Sequence, residues 1–235
     1  MIRNIVFDLG GVLIHLNREE SIRRFKAIGV ADIEEMLDPY LQKGLFLDLE
    51  SGRKSEEEFR TELSRHIGEE LTYQQVYDAL LGFLEEISAE KFDYIDSLRP
   101  DYRLFLLSNT NPYVLDLAMS PRFLPSGRTL DSFFDKVYAS CQMGKYKPNE
   151  DIFLEMIADS GMKPEETLFI DAVSTPIAPT MGKTGSLPLL DSFANRNKEG
   201  LYRESFRSVQ PPFRIERTFA YFVGSCIVKS TFSLF

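Results

Sequence analysis

Apolar and polar positions follow two rhythms along this chain, and the rhythms divide it. Ile2 to Phe7 is short, apolar and rich in branched side chains, as a parallel strand buried on both faces should be. It ends on Asp8 and breaks into Gly10-Gly11, so a carboxylate stands where a strand stops and a tight loop begins. From Asn17 to Arg99 the rhythm becomes helical and charged. Ile22, Phe25 and Ile28 recur at three-residue intervals, and Gly29 predicts a stop. Ile33 to Leu45, Glu56 to Ile67 and Tyr73 to Ile87 predict further helices, with Ser55 as N-cap ahead of Glu56-Glu57-Glu58. The stretch 17–99 is too long for a plain crossover and predicts a helical cap inserted after the first strand.

The strand rhythm then returns. Tyr102 to Leu107 predicts a second strand and Pro112 to Met119 the helix after it. Pro121 to Arg128 reads as a loop, Leu130 to Phe134 as a short helix and Lys136 to Ser140 as a strand. Asn149 to Ser160 predicts a helix with Ile152, Phe153, Met156 and Ile157 on one face, stopped by Gly161, before a strand at Thr167 to Ile170. This alternation predicts an α/β fold, a Rossmann-like, doubly wound parallel sheet with an inserted all-helical cap. The core would comprise 1–16 and 100–171, with the cap at 17–99 between them. No internal repeat or low-complexity tract is present. Phe92, Tyr94 and Ile95 read as core.

Composition narrows the function. A net charge of −9 over 235 residues leaves no basic surface for nucleic acid. Cys141 and Cys226 are too few for a disulfide framework and suit a reducing compartment. No apolar run approaches the ~18 residues of a membrane span. Met1-Ile2-Arg3 leads straight into a strand, without a signal peptide's apolar stretch. The expectation is a soluble cytoplasmic protein with no membrane or nucleic-acid partner.

Chemistry enters at the strand ends, where open α/β sheets bind ligands. Asp8 follows the first strand. Leu104 to Leu107 runs into Ser108-Asn109-Thr110, Gly144-Lys145-Tyr146-Lys147-Pro148 follows the third strand, and Leu168-Phe169-Ile170 ends on Asp171. An aspartate, a hydroxyl, a lysine and a second aspartate in this order resemble the four motifs of the haloacid dehalogenase-like hydrolase superfamily, most of whose members are Mg²⁺-dependent phosphatases.

The resemblance implies roles. Asp8 would be the nucleophile, forming an aspartyl-phosphate that splits one hard displacement into two easier ones. The Ser108 hydroxyl, with Asn109 behind it and nearby backbone N–H groups, would hold phosphate. Lys147 would offset the charge of nucleophile and phosphate; Lys145 competes for that role, but the family's lysine stands immediately before a proline. Asp171, Asp8 and the Gly10 carbonyl would bind Mg²⁺, which takes a few carboxylates and fills its shell with water and phosphate. The substrate would be a small phosphorylated metabolite, chosen by the cap.

Two positions depart from the pattern. Relatives carry two adjacent acids where this chain has Asp171-Ala172, which weakens the expected metal site. Most also carry an aspartate as general acid where this chain has Gly10, and a positioned proton donor is typically worth ~10²–10⁴-fold. The Asp-Leu-Gly pattern occurs in a branch resembling sugar 1-phosphate phosphatases. An anomeric hydroxyl leaves more easily than an ordinary alcohol, so sugar 1-phosphates and arylphosphates are the expected substrates. Two alternatives stand beside this one: a catalytically impaired relative, and a haloacid dehalogenase, which would need no metal. Among the histidines, His15 near the cap hinge and His66 on the cap read as ordinary loop or surface residues. No Cys/His spacing predicts zinc.

Beyond Asp171 the resemblance stops. Residues 172–235 hold eight Lys and Arg against four Asp and Glu, so the negative excess lies entirely in the first part. Ala220 to Val223 with Ser225 to Val228 predicts one late strand in an otherwise atypical, divergent or disordered segment. A sharper reading is a shifted frame. Codons permitted for Thr175 to Gly185, read from the third base, can spell a string resembling how relatives continue. Without the usual final strand, the last strand's edge would be open and solubility low.

Overall fold

The computed structural model describes residues 1–37 and 43–171 and the backbone of two strands, 218–223 and 226–231. A six-stranded sheet forms the centre, in the order β5-β4-β1-β6-β8-β7. Its strands are β1 (Asn4–Phe7), β4 (Arg103–Ser108), β5 (Lys136–Ala139), β6 (Thr167–Asp171), β7 (Thr218–Val223) and β8 (Cys226–Thr231). β1 pairs in parallel with β4 on one side and β6 on the other, with Phe7 opposite both Leu106 and Ile170. The chain therefore builds outward from β1 in one direction, then returns to place β6 on the opposite side. That reversal is the topological switch point of a doubly wound sheet, and it lies beside β1.

Alternation along the strands buries both faces. Ile5, Phe7, Leu104 and Leu106 enter one apolar cluster, while Val6, Phe105, Leu107 and Phe169 enter another. On the first face lies α6 (Ala89–Leu98), whose Phe92 and Ile95 are fully buried against the sheet; Tyr94 is half-buried. On the second face lies α9 (Glu150–Ser160), which contributes Ile152, Phe153 and Met156 and stops at Gly161 with φ of 64°. α7 (Pro112–Ala118) follows β4, with Pro112 in the first turn and Asn111 capping Val114 N–H. A 3₁₀ turn, Leu130–Phe133, and the one-turn α8 (Ser140–Met143) flank β5.

A separate apolar cluster holds α1 (Arg18–Ala27), α2 (Ile33–Met36), α3 (Gly44–Glu50), α4 (Glu56–Ile67) and α5 (Tyr73–Leu81) together. Edge-to-face ring contacts run from Phe25 to Phe46 and from Phe46 to Phe59, at 5.6 and 5.1 Å between centroids. Capping boxes start α4 at Ser55 with Glu58 and α5 at Thr72 with Gln75. The core reaches into this cluster through Tyr113 of α7. It is fully buried there and donates its hydroxyl to the Glu56 carbonyl at 3.1 Å.

Three expectations need correction. The helix predicted for Tyr73 to Ile87 ends at Leu81, and Leu84–Ile87 is a strand, β3, antiparallel to the short β2 (Ile14–Leu16). Gly82 makes this break possible, since a Cβ there would lie 2.8 Å from the Ser21 Cα of α1. The spacing of Leu84 and Ile87 fits a helix as well as a strand, which hid the change. The helix predicted for Ile33 to Leu45 stops at Met36 and a different helix starts at Gly44; the sequence between them includes Pro39, a residue without a backbone N–H for helical pairing. The single late strand is a hairpin, in which β8 runs parallel to β6 and β7 pairs antiparallel with β8. The shifted-frame reading at Thr175 to Gly185 falls outside the described residues, as does Ala172.

Candidate active site

The end of β1 sets the site. Asp8 donates its backbone N–H to the Ile170 carbonyl at 2.8 Å, continuing the ladder one step past the strand. Its Oδ1 accepts the Leu9 N–H at 2.7 Å, which fixes the carboxylate in the loop. The chain then turns tightly. Gly11 sits at φ of 73°, and Ile14 N–H reaches back to the Leu9 carbonyl at 3.0 Å. The carboxylate is thus held at the carboxyl edge of the sheet, at the switch point.

Lys147 comes to it from the loop after α8. Its Nζ lies 3.1 Å from Asp8 Oδ1 and 3.1 Å from Asp171 Oδ2. One buried ammonium therefore joins the carboxylates that end β1 and β6. Burial by itself would depress this ammonium, but the two carboxylates outweigh it and hold it above its usual value. At Asp8 the balance goes the other way. Burial raises its carboxyl well above the ordinary range, Lys147 offsets only part of this, and the charge of Asp171 adds to the rise. Two carboxylates against one cation leave this cluster one negative charge in excess.

Ser108, buried at the end of β4, points its hydroxyl at the Asn109 carbonyl at 3.3 Å, a weak contact that leaves the group available. Asn109 is placed differently from its expected phosphate contact. Its side chain clamps the peptide of Lys147, with Nδ2 donating to the Lys147 carbonyl at 2.9 Å and Oδ1 accepting the Lys147 N–H at 2.8 Å. The amide positions the lysine. Lys145 points away, paired with Glu155 of α9 at 2.5 Å. His15 is exposed on β2, opposite Glu86, and His66 pairs with Asp32 at 2.8 Å on the cap, so neither joins the cluster.

Gly10 also has a visible neighbour. A Cβ at this position would lie 3.1 Å from Leu16 Cδ1, the end of an exposed side chain of β2 that would have to give by a few tenths of an ångström. Two further residues escaped the sequence reading. Glu50, the last residue of α3, accepts the Tyr146 hydroxyl at 3.1 Å, and Tyr146 stands next to Lys147. Only the place of Tyr146 inside a chemistry-bearing motif hinted at this pair.

Among the described residues no group of three His, Cys, Asp or Glu forms a metal cluster, and no helix is long and apolar enough to cross a membrane. The oxygen donors near Lys147 are the carboxylates of Asp8 and Asp171, and Gly10 follows Asp8 by two residues in the loop after β1. Small hard cations accept one or two carboxylates and complete their shell with water and phosphate, so this set and its excess negative charge fit Mg²⁺.

Comparisons with known proteins identify the family. The family model of haloacid dehalogenase-like hydrolases matches residues 2–172. A D-ribitol-5-phosphate phosphatase from Bacteroides thetaiotaomicron is 46% identical over 177 residues, covering 75% of this chain and 86% of that protein. A solved HAD-like family hydrolase from Porphyromonas gingivalis is 97% identical, with a TM-score of 0.70, covering 73% of this chain and 82% of that one. An aspartate-to-alanine variant of a HAD family enzyme from Bacteroides thetaiotaomicron was solved with magnesium and inorganic phosphate. It is 36% identical with a TM-score of 0.70, covering 73% of this chain and 85% of that one. With Asp8, Ser108, Lys147 and Asp171 in the family's order at the carboxyl edge of a doubly wound sheet, the chain belongs to the haloacid dehalogenase-like hydrolases.

Proposed function

We propose that this chain is an Mg²⁺-dependent phosphatase of small phosphorylated metabolites, polyol or sugar phosphates, working through an aspartyl-phosphate at Asp8. The single observation that carries the reading is the Lys147 ammonium held 3.1 Å from both Asp8 and Asp171. An oxygen of Asp8 attacks phosphorus in line with the leaving oxygen, and water then hydrolyses the acyl phosphate. Lys147 favours the ionised form of the nucleophile against the effect of burial and meets charge gathering on the phosphoryl oxygens. Ser108 donates its hydroxyl to one of those oxygens, and Asn109 keeps Lys147 in place. Asp8, Asp171 and the Gly10 carbonyl would hold Mg²⁺, which when bound draws charge from the phosphoryl group. The helices between β2 and β3 form the cap that encloses the substrate. Cytoplasmic placement suits the chain's two cysteines.

The ribitol-phosphate specificity of the similar Bacteroides enzyme supports an acyclic polyol phosphate. A second reading, sugar 1-phosphates, is favoured by Gly10, since no acid stands there. The test is phosphate release by the purified full chain from p-nitrophenyl phosphate, ribitol 5-phosphate and a set of sugar 1-phosphates, with Mg²⁺ and with EDTA. Expected is metal-dependent turnover that Asp8→Asn lowers by at least ~10³-fold. Phosphate release that ignores EDTA would overturn the Mg²⁺ dependence, and halide release from a 2-haloacid without any phosphate release would point to the metal-free dehalogenase chemistry. A folded sample without turnover on any phosphate would favour the impaired relative.

A further inference from the structure

One turn of the cap is pinned to the core. The carbonyl of Glu50 accepts the Ser140 hydroxyl at 2.6 Å, and Ser140 Oγ also accepts the Thr110 N–H at 2.9 Å, two residues past Ser108. Gly52 approaches the core so closely that a Cβ would stand 2.2 Å from the Cys141 carbonyl oxygen. These contacts use the turn's backbone alone, so the Glu50 side chain is not needed to hold it down.

That side chain is nevertheless a carboxylate in an unfavourable place. It ends a helix, where the dipole opposes negative charge, and burial pushes its carboxyl up to about 7, with the Tyr146 hydroxyl offsetting only part of the rise. The residue as a whole is half-buried, at the seam where this turn meets the core. A carboxylate has about four acceptor positions. Among the described residues this one accepts a single hydrogen bond, from Tyr146. Tyr146 directly precedes Lys147, whose peptide Asn109 clamps. Its ionisation is pushed up by burial, then by Glu50, with Asp8 adding to the rise. The Tyr146–Glu50 hydrogen bond thus ties the residue before Lys147 to a carboxylate of this turn.

We infer that Glu50 and Tyr146 form the subsite for the hydroxyl-bearing end of the substrate, so that a polyol or sugar phosphate held at Ser108 and Lys147 donates a hydroxyl hydrogen bond to the unused side of the Glu50 carboxylate. This rests on the phosphatase reading above and adds a specificity-determining residue to it. In its ionised form the group only accepts, which matches a row of O–H donors, and its charge then repels substrates carrying a second phosphate or a carboxylate. A site built to bond a hydroxyl rejects analogues that lack one, because its buried acceptor is then unpaired.

The test compares kcat/KM for ribitol 5-phosphate with that for p-nitrophenyl phosphate in the full chain, in Glu50→Ala, Glu50→Gln and Tyr146→Phe, with a thermal melt of each. Expected is a fall in the polyol-to-aryl ratio of about tenfold to a hundredfold in Glu50→Ala, carried mainly by KM, with partial recovery in Glu50→Gln, which keeps an acceptor oxygen. A ratio unmoved within twofold, or equal losses on both substrates together with a lower melting temperature, would overturn it. Should Glu50→Ala fail to fold, the isosteric Glu50→Gln and Tyr146→Phe decide by the same ratio. If the wild-type chain hydrolyses neither phosphate, the phosphatase reading fails. The inference is then judged by calorimetric titration of ribitol 5-phosphate against inorganic phosphate. A preference for the polyol ester that the Glu50 variants lose upholds it, and no preference overturns it.

Discussion

Lys147 stands between Asp8 and Asp171 with little access to water, 8% exposed, and each contact is an ion pair that desolvation makes expensive to form. Removing the cation is worse than never having had it, because two buried carboxylates then face each other. Lys147→Ala should therefore cost about 3–5 kcal/mol of stability in metal-free buffer. Millimolar Mg²⁺ should return part of this, since a divalent cation on the same carboxylates replaces the lost charge and stabilises the state that binds it. Urea unfolding of wild type and variant, each with and without Mg²⁺, checks it. A gap that Mg²⁺ does not narrow would mean that Asp8 and Asp171 do not hold the ion. These residues were legible in the sequence because each ends an apolar run or precedes a proline, so position and chemistry coincide. Glu50, Leu16 and the Asn109 clamp were not legible. Their meaning depends on which distant backbone they meet, and no local pattern encodes a carboxylate's approach to a tyrosine 96 residues away.

At the level of elements, the strands with buried runs and the helices with caps were readable. The β2–β3 hairpin was not, because Ile14-His15-Leu16 is three residues long and its partner lies beyond five helices. The cap turn at Glu50–Gly52 is a second such case. It decides whether the cap meets the core, and its key residue is a glycine. Gly52 sits at φ of +68°, and a methyl group there would collide with backbone, which no rotamer change relieves. Gly52→Ala should destabilise the chain by more than the roughly 1 kcal/mol that a positive φ alone costs. Gly127→Ala gives that reference, since Gly127 has φ of +76° and open space around its Cβ. The clash should also lift the turn off Ser140 and carry Glu50 with it. The polyol-to-aryl ratio should then fall in Gly52→Ala and stay put in Gly127→Ala. Thermal melts and the same two substrates read both effects, and equal behaviour of the two variants would disprove the pinning.

For the whole molecule, the open question was the edge of β6. The family model ends at residue 172, and the 97% identical structure covers 73% of this chain, so the family's own continuation does not account for residues beyond that point. An uncovered β6 would present a row of unpaired N–H and C=O groups, and the expectation of low solubility followed from that. The hairpin changes the balance. β8 pairs with β6 in parallel from Leu168 opposite Ile227 to Asp171 opposite Ser230, and β7 closes β8 in antiparallel register. The edge that faces water then belongs to β7 rather than to the strand carrying Asp171. Since β6 positions that aspartate 3.1 Å from Lys147, the hairpin should matter to the site as well as to solubility. A chain ending at residue 217, without both strands, should show a lower melting temperature, more aggregation on concentration and a weaker response of its melting temperature to Mg²⁺. Light scattering and melts with and without Mg²⁺ measure all three. If the shortened chain behaves as the full one does, the β6 edge is protected by something other than this hairpin, and the first 217 residues suffice to hold the site.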